Sequence, residues 1–369
     1  MKITVSKKEL YDKLKMVTKV VTTSKTLPIL ENYMFVVENR ILTITGSDGN
    51  GEIVARVNFV DIDSDQQIKF VVDRTLFTAL AELPDQPIEL VINSNYHIKV
   101  IYHNGQFELQ GADADAFPCL TMPDEFQTIE MDRQKLMEGI KTVIPFVAND
   151  DLRPVMNGVY LDSKANALTF VATDAHVLAC REYEQELPDF NANIPAKAAK
   201  IILSILSEYT EENVKVISSF KNISVETEKY TVTYRLIEGR YPNYRNVIPK
   251  GQNLIVTLHK YEFLSLIKRI SVFSNVNSKL LKLDIGQGMI KVFAQDVDYS
   301  ISANETLMAE IDGEDMVIGF NATRLADVIA AVETEQCKLN LLDPARAGII
   351  NPVGVPGVTL LIMPMLINS

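Results

Sequence analysis

The feature that most limits what this chain can fold into is an internal repeat of about one third of its 369 residues. Three segments share the order short strand, polar residue, amphipathic helix. Ile3-Thr4-Val5 precedes KKELYDKLKMV, Ile129-Glu130-Met131 precedes RQKLMEGIKTV, and Ile255-Val256-Thr257 precedes KYEFLSLIKRI. Leu10, Leu136 and Phe263 hold equivalent helix positions at almost equal intervals. A second trio lies midway and keeps nearly the same interval: FVVDRTLFTAL from Phe70, NIPAKAAKIIL from Asn193 and GFNATRLADVI from Gly319. Two trios agreeing on one period point to three copies of one supersecondary plan.

Each copy holds two strand–helix units, and alternating strands follow. ISVETEKYTVTYRL alternates through Ile223, Val225 and Thr227 and again through Val232, Tyr234 and Leu236, the two-residue period of a half-buried strand. IKVIYHNGQFELQ carries Asn104-Gly105, a strong hairpin signal that predicts Tyr102 opposite Phe107. The expected fold class is α+β: three similar domains, each an internally doubled β-rich unit with two helices. Pro and Gly punctuation near Pro118–Pro123 and Pro249–Asn253 sets the expected domains at 1–122, 123–250 and 251–369.

Composition excludes several classes. Three scattered cysteines (Cys119, Cys180, Cys337) suit neither a disulfide framework nor a zinc site, and point to a reducing, cytoplasmic setting. The start MKITVSKKEL is too charged for a signal peptide. The uncharged tail from Ala347 contains Pro352, Pro356 and Pro364, which disfavour a spanning helix and favour buried strands, so no membrane partner is expected.

Charge is unevenly spread. Helical windows 7–19, 74–81, 133–142, 197–205, 260–269 and 324–332 carry 15 basic and 5 acidic side chains, in a chain whose net charge is −12. Two readings stay open: the cations solvate separate helix faces, or corresponding helices share one basic face suited to phosphates without sequence preference.

Enzymatic signatures are sparse. Gly46-Ser47-Asp48-Gly49-Asn50-Gly51 lacks the lysine of a phosphate-binding loop and reads as a turn between strands. No G-x-S-x-G elbow and no H-E-x-x-H occurs, and the four histidines (His97, His103, His176, His259) make weak metal ligands. No metal or cofactor is expected. Thr173-Asp174-Ala175-His176 is the one catalytic-looking cluster; with no nucleophile nearby, a turn held by Asp174 is favoured over hydrolysis by Asp174 and His176.

Four motifs in order carry a family resemblance: Thr26-Leu27-Pro28-Ile29-Leu30, Val171-Ala172-Thr173-Asp174-x-His176, Gly239-Arg240-Tyr241-Pro242-x-Tyr244-Arg245 and Met363-Pro364-Met365. Together they resemble the bacterial DNA sliding clamps, the β subunit of DNA polymerase III. The resemblance runs from the first residues to the tail. It implies a non-catalytic processivity factor, a head-to-tail homodimeric ring around double-stranded DNA that tethers the polymerase, the clamp loader and other proteins through short peptide motifs. A DNA-independent peptide-binding scaffold and a hydrolase remain the alternatives.

By residue match the resemblance implies a partner-peptide pocket of Met156, Thr173, His176, Val177, Leu178, Pro242, Val247, Leu361, Ile362, Met363, Pro364 and Met365. It implies a dimer contact of Phe107 and Leu109 with Val272 and Phe273 of a second copy. Candidate DNA-facing residues are Lys25, Arg74, Lys7, Lys13, Arg133, Lys200 and Lys268, with Lys8 and Lys15 beside them. Departures from the family are informative. Ala175 replaces a usual Gly, Val177 and Asn246 stand where Arg is common, and Leu366 replaces a basic residue, which predicts a more apolar, less positive pocket. Ser24 replaces an Arg, with Lys25 adjacent, and Asp150 stands where a neutral amide is common.

Overall fold

The computed structural model describes residues 1–58, 61–62 and 67–367; Asn368 and Ser369, at the end of the third expected domain, lie outside the described residues. Among the described residues, six α-helices fall on the six charged windows: α1 Lys7–Val17, α2 Thr75–Ala81, α3 Arg133–Val143, α4 Ala196–Leu206, α5 Lys260–Ser271 and α6 Ala322–Ala330. Each follows a strand of the repeat. Lys2–Ser6, Gln127–Asp132 and Leu254–His259 lead into α1, α3 and α5, while Ile68–Val72, Phe190–Pro195 and Met316–Asn321 lead into α2, α4 and α6. The equivalent residues Leu10, Leu136 and Phe263 are 0%, 2% and 0% exposed, so the repeat is a repeat of core anchors. Side-chain caps start several helices: Ser6 Oγ accepts from Glu9 N, Asp132 Oδ1 from Lys135 N, and Asn321 Oδ1 from Arg324 N.

Contacts group the chain into two compact units, residues 1–137 with 197–236 and residues 138–196 with 237–369. In the first unit, a five-stranded antiparallel sheet runs Asp61–Ile62, Lys2–Ser6, Pro87–Ile92, His97–Tyr102, Gly105–Gln110. A nine-stranded sheet runs Ala112–Asp113, Ile68–Val72, Tyr33–Glu38, Ile41–Ser47, Gly51–Asn58, Tyr230–Arg235, Asn222–Glu226, Asn213–Ser218, Gln127–Asp132. Strand Gly51–Asn58 pairs with the distant Tyr230–Arg235, so one sheet takes strands from the first and middle repeats.

The second unit repeats this device. Its nine-stranded sheet runs Phe190–Pro195, Gly158–Lys164, Ala167–Thr173, Val177–Glu184, Val358–Ile362, Gly348–Pro352, Gln336–Leu341, Leu254–His259, Glu310–Gly313. The join is Val177–Glu184 on Val358–Ile362. A four-stranded sheet, Ile301–Met308, Met289–Asp296, Leu280–Gly286, Met316–Asn321, completes the unit. This pairing explains why the compact units cut across the middle repeat: backbone ladders between repeats tie its strands to both neighbours.

Several local expectations hold. The 46–51 segment is a turn in which Asp48 Oδ1 accepts from Asn50 N and Gly51 N, with Gly49 at φ +85°. The apolar tail forms strands Gly348–Pro352 and Val358–Ile362. The hairpin differs by one residue: its turn is His103-Asn104, Tyr102 pairs with Gly105, and Phe107 faces Val100. Tyr102 and Phe107 still share a face, their rings 6.2 Å apart on the diagonal. Gly105 starts the second strand, and a Cβ there would sit 2.8 Å from the Tyr102 hydroxyl, so the Tyr102 ring occupies the space a side chain would need.

A segment between repeats is pinned within the first unit. Leu120 N donates to Glu52 Oε2 at 2.8 Å, and Asn222 Nδ2 donates to Thr121 O at 3.0 Å. Glu52 is buried, and loss of water pushes its carboxyl above the usual range while the Leu120 amide opposes that shift. A carboxyl raised on folding favours the fold in acid, and that contribution is lost as pH rises from the unfolded value through the folded one. Glu52→Gln retains an acceptor for Leu120 N without the buried charge. It is expected to raise the thermal midpoint at neutral pH by a few degrees, on the order of 1 kcal/mol. The difference should shrink when both forms are neutral in acid, which melting curves across pH would show.

Candidate docking groove and charged faces

The groove grows from the join between Val177–Glu184 and Val358–Ile362. Val177 pairs with Ile362 and Leu178 with Leu361. Beyond the ladder, Met363 N donates to His176 O at 2.8 Å, so the tail stays fixed to the 173–177 turn. Pro364 has no N–H to give and interrupts the ladder, yet the chain stays on the body: Met365 N donates to Gly319 O at 2.8 Å. A Cβ at residue 319 would approach Met365 O at 2.8 Å, so the glycine makes room for the returning tail.

The turn itself is built by Thr173 and Asp174. Thr173 Oγ1 donates to Val177 O at 2.6 Å and accepts from Ala175 N at 3.1 Å. Asp174 Oδ1 accepts from the amides of His176 and Val177, both at 2.8 Å, and its Oδ2 lies 3.6 Å from Arg324 Nε on α6. Those bonds make Asp174 a turn-former.

Beside the join, Leu178 and Leu361 share a buried apolar cluster with Val171, Cys180, Tyr241, Tyr244 and Ala347. Tyr160 stacks on Tyr241 at 4.4 Å, and Tyr244 donates to Asp162 Oδ2 at 2.8 Å, which holds the 239–245 motif against the sheet. Over this cluster opens a cleft of about 930 Å³ whose lining includes Cys180, Tyr244, Val247, Ala347, Thr359 and Met363. Burial raises the Cys180 thiol to about 12, so it is an apolar wall and not a nucleophile.

Of the twelve residues expected in the pocket, two line this cleft and others flank it. Val247 and Met363, both exposed, line the cleft; Leu178 and Leu361 belong to the cluster it shares; Thr173, His176, Val177 and Ile362 form the adjoining turn and ladder. Val177 also lines a crevice of about 100 Å³ with Phe146, Asp174, Arg324 and Asp327. Met156 and Pro242 are half-buried and outside the cleft lining, and Pro364 and Met365 lie along the return to Gly319. Arg324, Lys250 and Arg346 escape the sequence reading, because their proximity depends on strand pairing between repeats that no local pattern reveals.

The basic residues divide sharply. Lys7 and Lys13 are only 9% and 7% exposed, with ammonium groups over the rings of Tyr11 at 4.7 Å and Tyr230 at 4.2 Å. Burial lowers the Lys13 pKa. Arg133 donates to the carbonyls of Glu211 and Leu206. Lys7 and Lys13 are thus buried packing groups, and Arg133 is half-buried against two backbone carbonyls. Lys8, Lys15, Lys25, Arg74, Lys200 and Lys268 are exposed, Arg74 lying 3.7 Å from Glu31. At the expected contact faces, Phe107 and Leu109 are half-buried on the sheet-edge strand Gly105–Gln110, while Val272 is 72% and Phe273 38% exposed after α5.

Family models for DNA polymerase III beta subunit match the N-terminal domain at residues 1–121, the central domain at 130–243 and the C-terminal domain at 245–366. The chain belongs to the bacterial beta sliding clamp family. The beta sliding clamp of Pseudomonas aeruginosa is 27% identical over 368 residues, covering 99% of this chain and 100% of the relative. That of Haemophilus influenzae is 26% identical with the same coverage. The solved DNA polymerase III beta subunit of Thermotoga maritima superposes with a TM-score of 0.90, and the Pseudomonas aeruginosa clamp bound to griselimycin with 0.93; both are 26% identical and covered end to end, as is this chain. The three-domain clamp fold and a non-enzymatic processivity role follow, and the hydrolase reading of Asp174 and His176 falls. Among the described residues no helix is long and apolar enough to cross a membrane, and no group of three or more His, Cys, Asp or Glu could hold a metal.

Ala175 sits at φ +75°, a left-handed conformation that costs a non-glycine residue roughly 1 kcal/mol. Ala175→Gly should therefore raise unfolding free energy by up to about 1 kcal/mol, less the glycine's unfolded-state entropy. Denaturant melts of the two proteins would register the change.

Proposed function

We propose that two copies of this chain close head to tail into a ring around duplex DNA in the cytoplasm, and that the groove beside Met363 tethers the replicative polymerase, the clamp loader and other replication proteins by short peptides. The observation that carries this reading is the groove: an open cleft over a buried apolar cluster and beside an exposed methionine, in a chain matched end to end by clamp models. Methionine and branched apolar walls suit several different segments. The domain edges we assign are 122/123 and 250/251.

The ring closure rests on two strand edges. Gly105–Gln110 ends the five-stranded sheet and Ile301–Met308 ends the four-stranded one, and each presents unpaired backbone groups on its outer side. Phe107 and Leu109 would meet the partner copy near its own exposed Val272 and Phe273, an apolar centre of the kind that stable interfaces bury. A heterologous contact of this type closes when the rotation fits. Lys25, Arg74, Lys200 and Lys268, with Lys8 and Lys15, are the exposed cations we assign to DNA phosphates; Lys7 and Lys13 are left out because they are buried, and Arg133 because it is half-buried against backbone carbonyls.

Three measurements test the reading. Val272→Asp with Phe273→Asp should convert a dimer into a folded monomer in analytical ultracentrifugation; an unchanged dimer places the interface elsewhere. Binding to short linear duplexes should be weak, indifferent to sequence and steeply weakened by salt, and a flat salt response removes the phosphate assignment. Deleting Met363 to Ser369 should abolish capture of polymerase-derived peptides while leaving the dimer intact.

A further inference from the structure

The two ladders that join repeats share one register. In each repeat a two-residue turn leads into a strand whose first residue pairs with the end of the next strand: Ile41 with Asn58, Ala167 with Glu184 and Met289 with Met308. Five residues before those ends stand Ile53, Ala179 and Ala303. The last strand of each repeat is indexed through its sheet. Ile3, Leu90, Val100 and Phe107 pair in series, as do Ile129, Val216, Val225 and Val232, and Val256, Leu339, Ile350 and Leu360. Ile3, Ile129 and Val256 each lie four residues before the start of α1, α3 or α5. On this indexing Val232 pairs with Ile53 and Leu360 with Ala179, the same register twice. The bonds at the ladder ends repeat too. Arg56 N donates to Lys229 O as Glu182 N does to Gly357 O, and Arg235 N to Asn50 O as Met363 N does to His176 O.

Four of the six corresponding strands are thereby paired. The two left over are the open edges Gly105–Gln110 and Ile301–Met308. Resting on the ring reading above, we infer that the seam between copies repeats the internal register, with the partner copy's Phe107 opposite Ala303, its Leu109 opposite Ile301 and its Gln106 opposite Asn304, and that the fit of the Phe107 ring over the small Ala303 selects the partner. Phe107, Leu109 and Ala303 are half-buried on one side of their strands, while Gln106, Glu108, Ser302 and Asn304 are exposed on the other. Leu360 opposite Ala179 is the same large-on-small match inside the chain. The register puts no opposite charges across the ladder. Glu108 would face Ser302 and already meets His97 at 3.4 Å; Glu305 would face Gly105 and already pairs with Arg269. Opposed side chains of unequal size interlock, where two large ones collide and two small ones leave a gap.

The test uses the full-length chain carrying Cys119→Ser, which removes the exposed thiol and leaves Cys180 and Cys337 buried. Opposed residues of this kind in an antiparallel ladder have Cα atoms about 5.5 Å apart, within disulfide reach, whereas diagonal neighbours at about 7–8 Å are beyond it. Under mild oxidation Gln106→Cys with Asn304→Cys should therefore give a covalent dimer on non-reducing gels, and Glu108→Cys with Asn304→Cys should run as a single chain. Ala303→Phe should weaken the dimer by about tenfold in sedimentation, the scale of overpacking a filled contact, and adding Phe107→Ala should recover most of that loss. Preferential cross-linking of the Glu108 pair, or of neither pair in a protein that still sediments as a dimer, overturns the register and leaves the ring reading standing. A loss that Phe107→Ala does not relieve overturns the size match. Should the Cys119→Ser chain itself sediment as a monomer, the ring reading fails and takes this inference with it.

Discussion

Backbone pairing between repeats is the constraint from which the rest of the structure follows. It is made by two ladders: Gly51–Asn58 with Tyr230–Arg235, and Val177–Glu184 with Val358–Ile362. Each turns the facing strands of two repeats into one nine-stranded sheet, so neither of those strands is left as an open edge. The bonds are main chain to main chain and place few demands on side-chain identity. That is consistent with relatives that keep TM-scores of 0.90 and 0.93 at 26% identity.

What can be seen in the sequence is whatever repeats or alternates locally. The three Leu10, Leu136 and Phe263 positions are core anchors, and the six helices lie where hydrophobic periodicity puts them. Pairing between repeats is invisible because it joins segments far apart in the chain through no shared motif. The same blindness affects charge. Lys7 and Lys13 look like surface cations in a helical pattern, yet aromatic rings cover them, and Tyr230 comes from a strand of another repeat. The hairpin turn sits one residue earlier than the Asn-Gly signal places it, with Gly105 in the strand opposite Tyr102.

The site is legible in part for the same reason. Thr173, His176, Leu361 and Met363 belong to motifs, and the ladder joins them. Lys250 and Arg346 belong to no motif, and their place at the cleft follows only from how strands of the middle and third repeats are joined. The cleft thus combines an apolar floor, part of it legible in motifs, with charged lining residues that no motif reveals.

The ladder between Val177 and Ile362 has a temporal consequence. The groove's two walls come from chain segments at the middle and the end of the sequence, and neither wall has the other's side chains until those strands pair. During synthesis the first wall emerges long before the second, and a chain opened at this seam loses both the Met363–His176 bond and the floor it covers. The groove therefore exists only in a chain whose middle and final strands have already closed into one sheet.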